Sequence, residues 1–193
     1  MNDMNDMTSR VDRLERMQRD GRLLRSAWGD GVERACLLTA LAPEVGEGRY
    51  EACPASVMPE WFARMVPWID DSGGAQAWPA MVNRFAAVAR RWHVLTPEDW
   101  TRLEWETKII SVAEAASHTK DARASAACAE AIALCERAKT GDSPTKEEWA
   151  AAAWAVSASA SAASAWAVSA SAGADRITAL VLTALESACA AHE

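Results

Sequence analysis

A long run of residues without formal charge, from Trp149 to Ala174, constrains the fold of this chain more than any other feature. The run consists mainly of Ala and Ser, and nothing between Pro144 and Gly173 breaks a helix, so we expect one continuous helix of roughly 28 residues. A surface helix normally carries a charged face, and a helix without charge on any side is usually enclosed. The sequence therefore predicts a long helix that other parts of the protein cover.

The directions of the tryptophan side chains in this run indicate which sides of the helix must be buried. At about 100° per residue, Trp149, Trp154 and Trp166 point to three different sides, so every side needs cover. A bilayer is a poor cover, because spanning helices insert through large apolar residues, whereas this run offers only Val156 and Val168 among small ones. We therefore expect no membrane association. We favour a homo-oligomer, in which a second subunit supplies part of the cover.

Helical patterns continue along the rest of the chain, and no alternating strand pattern stands out. The clearest amphipathic pattern runs from Trp78 to Trp92, and start signals stand at Thr96 and at Thr145, where a capping box precedes the uncharged run. We predict an all-α fold of about eight helices packed around the long Ala/Ser/Trp-rich helix. The predicted helices cover residues 8–27, 32–41, 59–67, 78–92, 97–117, 122–138, 144–173 and 177–188.

The N-terminal region is expected to be distinct from the rest of the chain. Met7, Val11, Leu14 and Met17 recur every three or four positions among charged residues, which outlines a thin amphipathic helix. Such a narrow apolar stripe is typical of a solvated helix or of a short docking arm. We predict an N-terminal helix or arm over residues 1–30 and a single helical domain over residues 31–193.

Composition excludes some classes of function. The net charge of −7 argues against a general nucleic-acid binder, which would carry a basic face to neutralise phosphates. The five cysteines are odd in number and form no Cys-x-x-Cys pair, so we expect a reducing cytoplasm rather than a disulfide framework. The N-terminus has no basic start followed by an apolar core, and we expect no secretion signal.

No catalytic signature stands out in the sequence. Metal-assisted hydrolysis needs at least three converging ligands, and helical spacings such as His-x-x-x-His are absent. Cys53 and His93 could meet as nucleophile and base, but a cysteine before a proline in a loop is more often structural. We predict no catalytic residue, no metal and no cofactor, with a metal-dependent hydrolase as a minor alternative.

Two short segments combine residue types that favour binding. The candidate binding residues are Arg90, Arg91, Trp92 and His93 in one segment and Trp68, Asp70 and Asp71 in the other. Two guanidinium groups beside an indole could hold a phosphate and stack a base. In the alternative interpretation, Trp92 closes the apolar stripe of its helix and the arginines lie at the edges of that stripe. The second segment contributes a carboxylate pair beside a tryptophan.

Three short segments, Cys36–Pro43, Ala52–Pro59 and Trp68–Asp71, are followed by the Ala/Trp-rich C-terminal helix. In this combination they resemble uncharacterised proteins of bacteriophages and prophages, and the resemblance extends from Val32 to the C-terminus. The Ala-rich half also loosely resembles immunity proteins. The resemblance implies a phage accessory protein that is dispensable for the virion and is directed at host defence.

Two functions follow from these observations. The first is a protein in the cytoplasm of the bacterial host that binds a host defence protein or complex and inhibits it stoichiometrically. The second is a sponge that sequesters a small nucleotide immune signal in a pocket built from Trp and Arg near Trp92. Interface hot spots and base-stacking pockets both favour these residue types, so composition alone does not separate the two functions.

Overall fold

The computed structural model describes residues 2–46, 48–72, 74–157 and 173–193. Among these residues there are eight helices and no strand, which confirms the predicted all-α fold. The helices are α1 (Asn2–Arg19), α2 (Leu37–Leu41), α3 (Glu60–Asp71), α4 (Trp78–Ala89), α5 (Pro97–Ser117), α6 (Ala122–Lys139), α7 (Lys146–Ser157) and α8 (Ala174–Ala190). The predicted long helix reaches Ser157 as α7, and its remaining part, with Trp166, lies outside the described residues.

The chain forms two compact units. The first contains Met1–Thr96 together with Leu185–Glu193, and the second contains Pro97–Ala184. In this grouping α1 belongs to the first unit, whereas the sequence predicts a boundary near residue 30. The predicted division into residues 1–30 and 31–193 stays a prediction.

Helix α1 is held in the first unit by its narrow apolar stripe. Met7, Val11, Leu14 and Met17 are all buried, and the helix packs against α2 and α4. The helix ends at Arg19 rather than near residue 27, because the following residues form a Schellman cap. In this cap Gly21 adopts a positive φ of 66°, and the Arg22 N–H donates to the Met17 carbonyl at 2.8 Å.

Helix α2 is five residues long, and all five are buried. Its C-terminal carbonyl groups have no partners within the helix, and two arginines of α1 supply the donors. The Arg10 guanidinium donates to the Leu41 carbonyl at 2.8 Å, and the Arg13 guanidinium donates to the carbonyls of Ala40 and Thr39 at 3.0 and 3.2 Å. These hydrogen bonds therefore satisfy the carbonyl groups at the buried end of α2.

The loop of residues 20–36, which joins α1 to α2, is held by hydrogen bonds between side chains and the backbone. The Asp30 carboxylate accepts from the backbone N–H groups of Val32, Glu33 and Arg34 at 2.8 to 3.0 Å. The Arg22 guanidinium donates to the Val32 carbonyl at 2.6 Å and also to the Glu33 carbonyl. The loop thus has a defined shape without regular secondary structure, apart from two isolated bridges to Ala35.

Helix α3 does not end at Pro67, where the sequence predicts a kink or an end. It continues for another turn to Asp71, and this extension brings Asp70 and Asp71 into its last turn. Proline lacks the N–H that bonds one turn back, so the helix loses one hydrogen bond there without stopping. This extra turn positions the site described below.

In the second unit, the sequence signals match the structure closely. Helix α5 runs over the predicted residues 97–117, and α6 begins after Asp121, whose carboxylate accepts from the Arg123 N–H at 2.7 Å. The predicted capping box precedes α7: the Glu148 N–H donates to the Thr145 hydroxyl at 3.2 Å, and the Thr145 N–H donates to the Glu148 carboxylate at 2.7 Å. These helix starts depend on local hydrogen bonds, which is why the sequence reveals them.

Replacing Arg13 by Lys tests the role of the arginines at the end of α2. The Arg13 guanidinium uses Nη1 for the carbonyls of Ala40 and Thr39 and Nη2 for the Gly31 carbonyl. A lysine keeps the charge but has a single nitrogen that cannot reach both places, so we expect the unfolding free energy to fall by about 1–3 kcal/mol. The measurement is equilibrium unfolding in urea. Arg16→Lys is the control, because Arg16 lies exposed on the same helix. Equal stability of the two variants would contradict the proposed role.

Candidate functional site

The first predicted binding segment, residues 90–93, contributes its tryptophan to the core. The Trp92 side chain is 1% exposed, and its ring makes edge-to-face contacts with Phe62 and Phe85, each at 5.7 Å between ring centroids. Such a ring has no face available to stack on a base. The exposed His93 ring lies over its own turn, with Nδ1 at 2.9 Å from the Arg90 carbonyl oxygen.

The two arginines of this segment bind carboxylates of the same unit. The Arg90 guanidinium donates to Asp12 at 2.7 Å and to Glu15 at 2.9 Å, and these contacts raise the pKa of Arg90. The Arg91 guanidinium donates to Glu193 at 2.8 Å. The structure thus matches the alternative interpretation, in which Trp92 is a core residue and the arginines lie at the edge of the core.

The second predicted segment contributes to a cavity. Asp70 and Asp71 lie on the wall of a cavity of about 110 Å³ that is partly open to solvent. The other wall residues include Ser26 and Trp28 from the 20–36 loop, Cys36 at the start of α2, and Pro67 of α3. We call this site the α3 cavity. Trp68 is half-buried on the same helix but does not line the cavity.

Asp70 is the buried carboxyl group of the α3 cavity. Its side chain is 2% exposed, and its Oδ1 accepts from the Trp78 indole N–H at 3.0 Å. The N–H of Leu37, the first residue of α2, also favours the ionised form. Burial opposes that form more strongly and raises the pKa of Asp70 to about 7, with a smaller contribution from the neighbouring Asp71 carboxylate.

Asp71 differs from Asp70 because its side chain is exposed. Its main-chain carbonyl accepts from the Arg25 guanidinium at 2.8 Å, and this contact ties the 20–36 loop to the end of α3. Ser26, next to Arg25, has a positive φ of 58°, a conformation that non-glycine residues adopt infrequently and that is enriched at functional sites. The loop is thus held in an unusual conformation beside the two carboxylates.

The sequence pattern pointed to the two aspartates of this cavity but not to Trp28, Ser26 or Cys36. A partial signal was present, because Gly29 has a positive φ of 69° and a Cβ there would lie 2.2 Å from the Arg34 carbonyl oxygen. A position that only glycine can occupy indicates a compact turn. The sequence does not show which other element that turn meets.

A third feature is an apolar surface on α7 in the second unit. Trp154 is 74% exposed, and Ala150 and Ala151, one turn earlier on the same side, are also exposed. We call these three residues the α7 outer face. Trp149 lies elsewhere on the helix and stacks on Trp105 with 5.5 Å between ring centroids, so it belongs to the contact between α5 and α7.

Metal ligation and membrane insertion find no support in the part of the chain that the structure describes. Within these residues, no group of three or more His, Cys, Asp or Glu side chains is arranged to hold a metal ion. Of the helices described, none has the length and apolarity needed to cross a membrane. Comparison of the chain with protein-family models, with curated proteins and with solved structures found no match.

Replacing Asp70 by Asn tests the electrostatics of the cavity. The folded pKa of about 7 lies above the ordinary value of 3.8, so the contribution of Asp70 to stability is fully present below pH 4 and is lost as the pH rises through 7. An asparagine side chain does not titrate. We therefore expect the variant to gain about 4 kcal/mol of unfolding free energy relative to wild type between pH 4 and pH 8.

The measurement is urea unfolding of both proteins across this pH range. Asp71→Asn is the matched control, since Asp71 is exposed and its replacement should change the pH dependence far less. A difference between wild type and Asp70→Asn that does not vary with pH would show that Asp70 is ionised throughout.

Proposed function

We propose that this chain is a cytoplasmic phage accessory protein that binds a host defence protein and inhibits it stoichiometrically. The α7 outer face is the observation that supports the proposal. Tryptophan is the residue type most enriched at interface hot spots, and Trp154 is 74% exposed in the described structure. The resemblance of the sequence to phage proteins supplies the biological setting.

The residues around Trp154 suit a close contact with a partner. Ala150 and Ala151 present only methyl groups, so an approaching element can come near the helix backbone and pack around the indole. Burying an exposed tryptophan ring removes a large apolar area from water, and the rigid ring loses little conformational entropy in the process. An amphipathic helix of the partner, laid along α7, fits this surface.

The geometry of residues 90–93 does not favour the nucleotide sponge. Arg90 and Arg91 donate to carboxylates, and a phosphate would have to replace these contacts. The indole of Trp92 is enclosed by Phe62 and Phe85. The metal-dependent hydrolase stays an untested hypothesis.

The function is tested first in cells. The chain is expressed in bacterial strains that each carry one cloned defence system, and we expect it to restore plaque formation by a sensitive phage on one of these strains. The purified component of that system should then form a complex of fixed stoichiometry with the chain in size-exclusion chromatography with light scattering. Failure to relieve any defence system would contradict the proposed inhibition.

The binding surface is tested with Trp154→Ser. Removal of a hot-spot tryptophan typically costs about 2 kcal/mol or more, so we expect affinity for the identified component to fall by about 30-fold or more in calorimetry. Val32→Ala is the control, because Val32 is 75% exposed in the first unit and its change also removes exposed apolar surface. Unchanged affinity in Trp154→Ser, or an equal loss in Val32→Ala, would place the interface elsewhere.

Self-association is a separate prediction. If a second subunit covers part of the uncharged run, light scattering at micromolar concentration should give a multiple of the monomer mass of 20.8 kDa. A mass equal to the monomer would contradict the homo-oligomer. Trp154→Ser then shows whether the α7 outer face also holds the subunits together, because a dimer held there should dissociate.

A further inference from the structure

The side-chain charges on the wall of the α3 cavity are negative. Asp70 and Asp71 both line it, and the remaining wall residues, among them Ser26, Trp28 and Pro67, carry no charge. Arg25 of the loop does not line the cavity, and its guanidinium donates to the main-chain oxygen of Asp71 at 2.8 Å. The cavity thus presents carboxyl groups to whatever enters it.

The position of these carboxylates at the end of α3 adds to the negative potential. The C-terminus of a helix carries a partial negative charge, and cations rather than anions are stabilising there. The last turn of α3 holds two aspartates and no basic residue. The N–H groups of Trp78 and Leu37 offset part of this potential at Asp70, and a bound cation would offset it further.

The volume of the cavity suits a small cationic group. A volume of about 110 Å³ equals three or four water molecules at about 30 Å³ each, which is close to the size of one guanidinium or methylammonium group. Trp28 lines the same cavity, and an indole is the side chain that attracts organic cations most strongly. Its ring lies 5.8 Å from the Tyr50 ring, a contact that fixes its position.

We propose that the α3 cavity binds one guanidinium or primary ammonium group, with Asp70 and Asp71 as hydrogen-bond acceptors and Trp28 as an aromatic wall. The cationic group belongs either to a small free molecule or to an Arg or Lys side chain of a partner protein. The site lies in the first unit and does not depend on the α7 outer face.

Binding at this site is linked to the loss of a proton. Asp70 ionises with a pKa of about 7, and a cation stabilises the ionised carboxylate. The groups facing it are Asp71 on the same helix, Arg25 of the loop, the Cys36 thiol and the neutral indole N–H of Trp78. Because the fraction of ionised Asp70 rises about tenfold between pH 6 and pH 8, affinity for the cation should rise by about the same factor.

The test uses methylguanidinium with the full chain. The Trp78 indole N–H, which donates to Asp70, serves as the reporter in ¹H–¹⁵N NMR spectra and is assigned with Trp78→Phe. We expect this resonance to shift as methylguanidinium is added at pH 8, and the dissociation constant to be about tenfold higher at pH 6. Tetramethylammonium, which has no N–H donors, should bind more weakly at matched ionic strength.

Variants distinguish binding at this cavity from nonspecific attraction of the cation to an acidic protein. Asp71→Asn replaces an exposed carboxylate by an amide and should weaken binding several-fold, and Asp70→Asn should remove the pH dependence. Glu98→Gln, at an exposed acid of α5, changes the net charge equally and should leave binding unchanged. An unperturbed Trp78 resonance, or equal weakening by Glu98→Gln and Asp71→Asn, would overturn the proposal.

A blocked arginine tripeptide distinguishes the two sources of the cation. If the tripeptide binds more tightly than methylguanidinium, surrounding backbone contributes and the group comes from a partner protein. If it binds more weakly or is excluded, the cavity takes a free small cation. Binding of neither would overturn the proposal.

Discussion

A helix of five residues that is buried along its whole length depends on polar partners at both ends. Such a helix has more orphan backbone groups than internal hydrogen bonds, and each orphan group buried without a partner would destabilise the fold. In this protein, Arg10 and Arg13 of α1 bind the carbonyls at the end of α2, and Asp70 of α3 faces the N–H of Leu37 at its start. The short helix therefore fixes two longer helices around it.

The contact between Asp70 and the Leu37 N–H also determines where the candidate site lies. Asp70 is close to the first N–H of α2 only because α3 continues past Pro67, and that extra turn also brings Asp71 to the helix end. The 20–36 loop then closes over this end through the bond from Arg25 to the Asp71 carbonyl. A packing requirement and a negatively charged cavity thus share one carboxyl group, whose pKa is raised because it is buried.

The sequence predicts the parts of this fold that depend on neighbours along the chain. The two residues of the capping box, Thr145 and Glu148, lie close together in the sequence, and α7 begins where this pair predicts a helix start. The short α2 and the 20–36 loop depend on contacts such as that from Arg13 to Ala40, 27 residues away, which no local pattern reveals. For the site, the pair of adjacent carboxylates in the sequence pointed to Asp70. Trp92, in contrast, closes the apolar stripe of residues 78–92, and such a stripe indicates burial, so Trp92 belongs to the core rather than to a pocket.

Both proposed surfaces occur where the chain departs from the usual rules for helices. Asp70 and Asp71 stand at the end of a helix that favours cations, and Trp154 points outward where a charged residue would keep the helix solvated. Sequences that fold well are consistent at every level, and departures concentrate at sites that serve another purpose. These departures support the proposed cation at the α3 cavity and the proposed apolar partner at the α7 outer face.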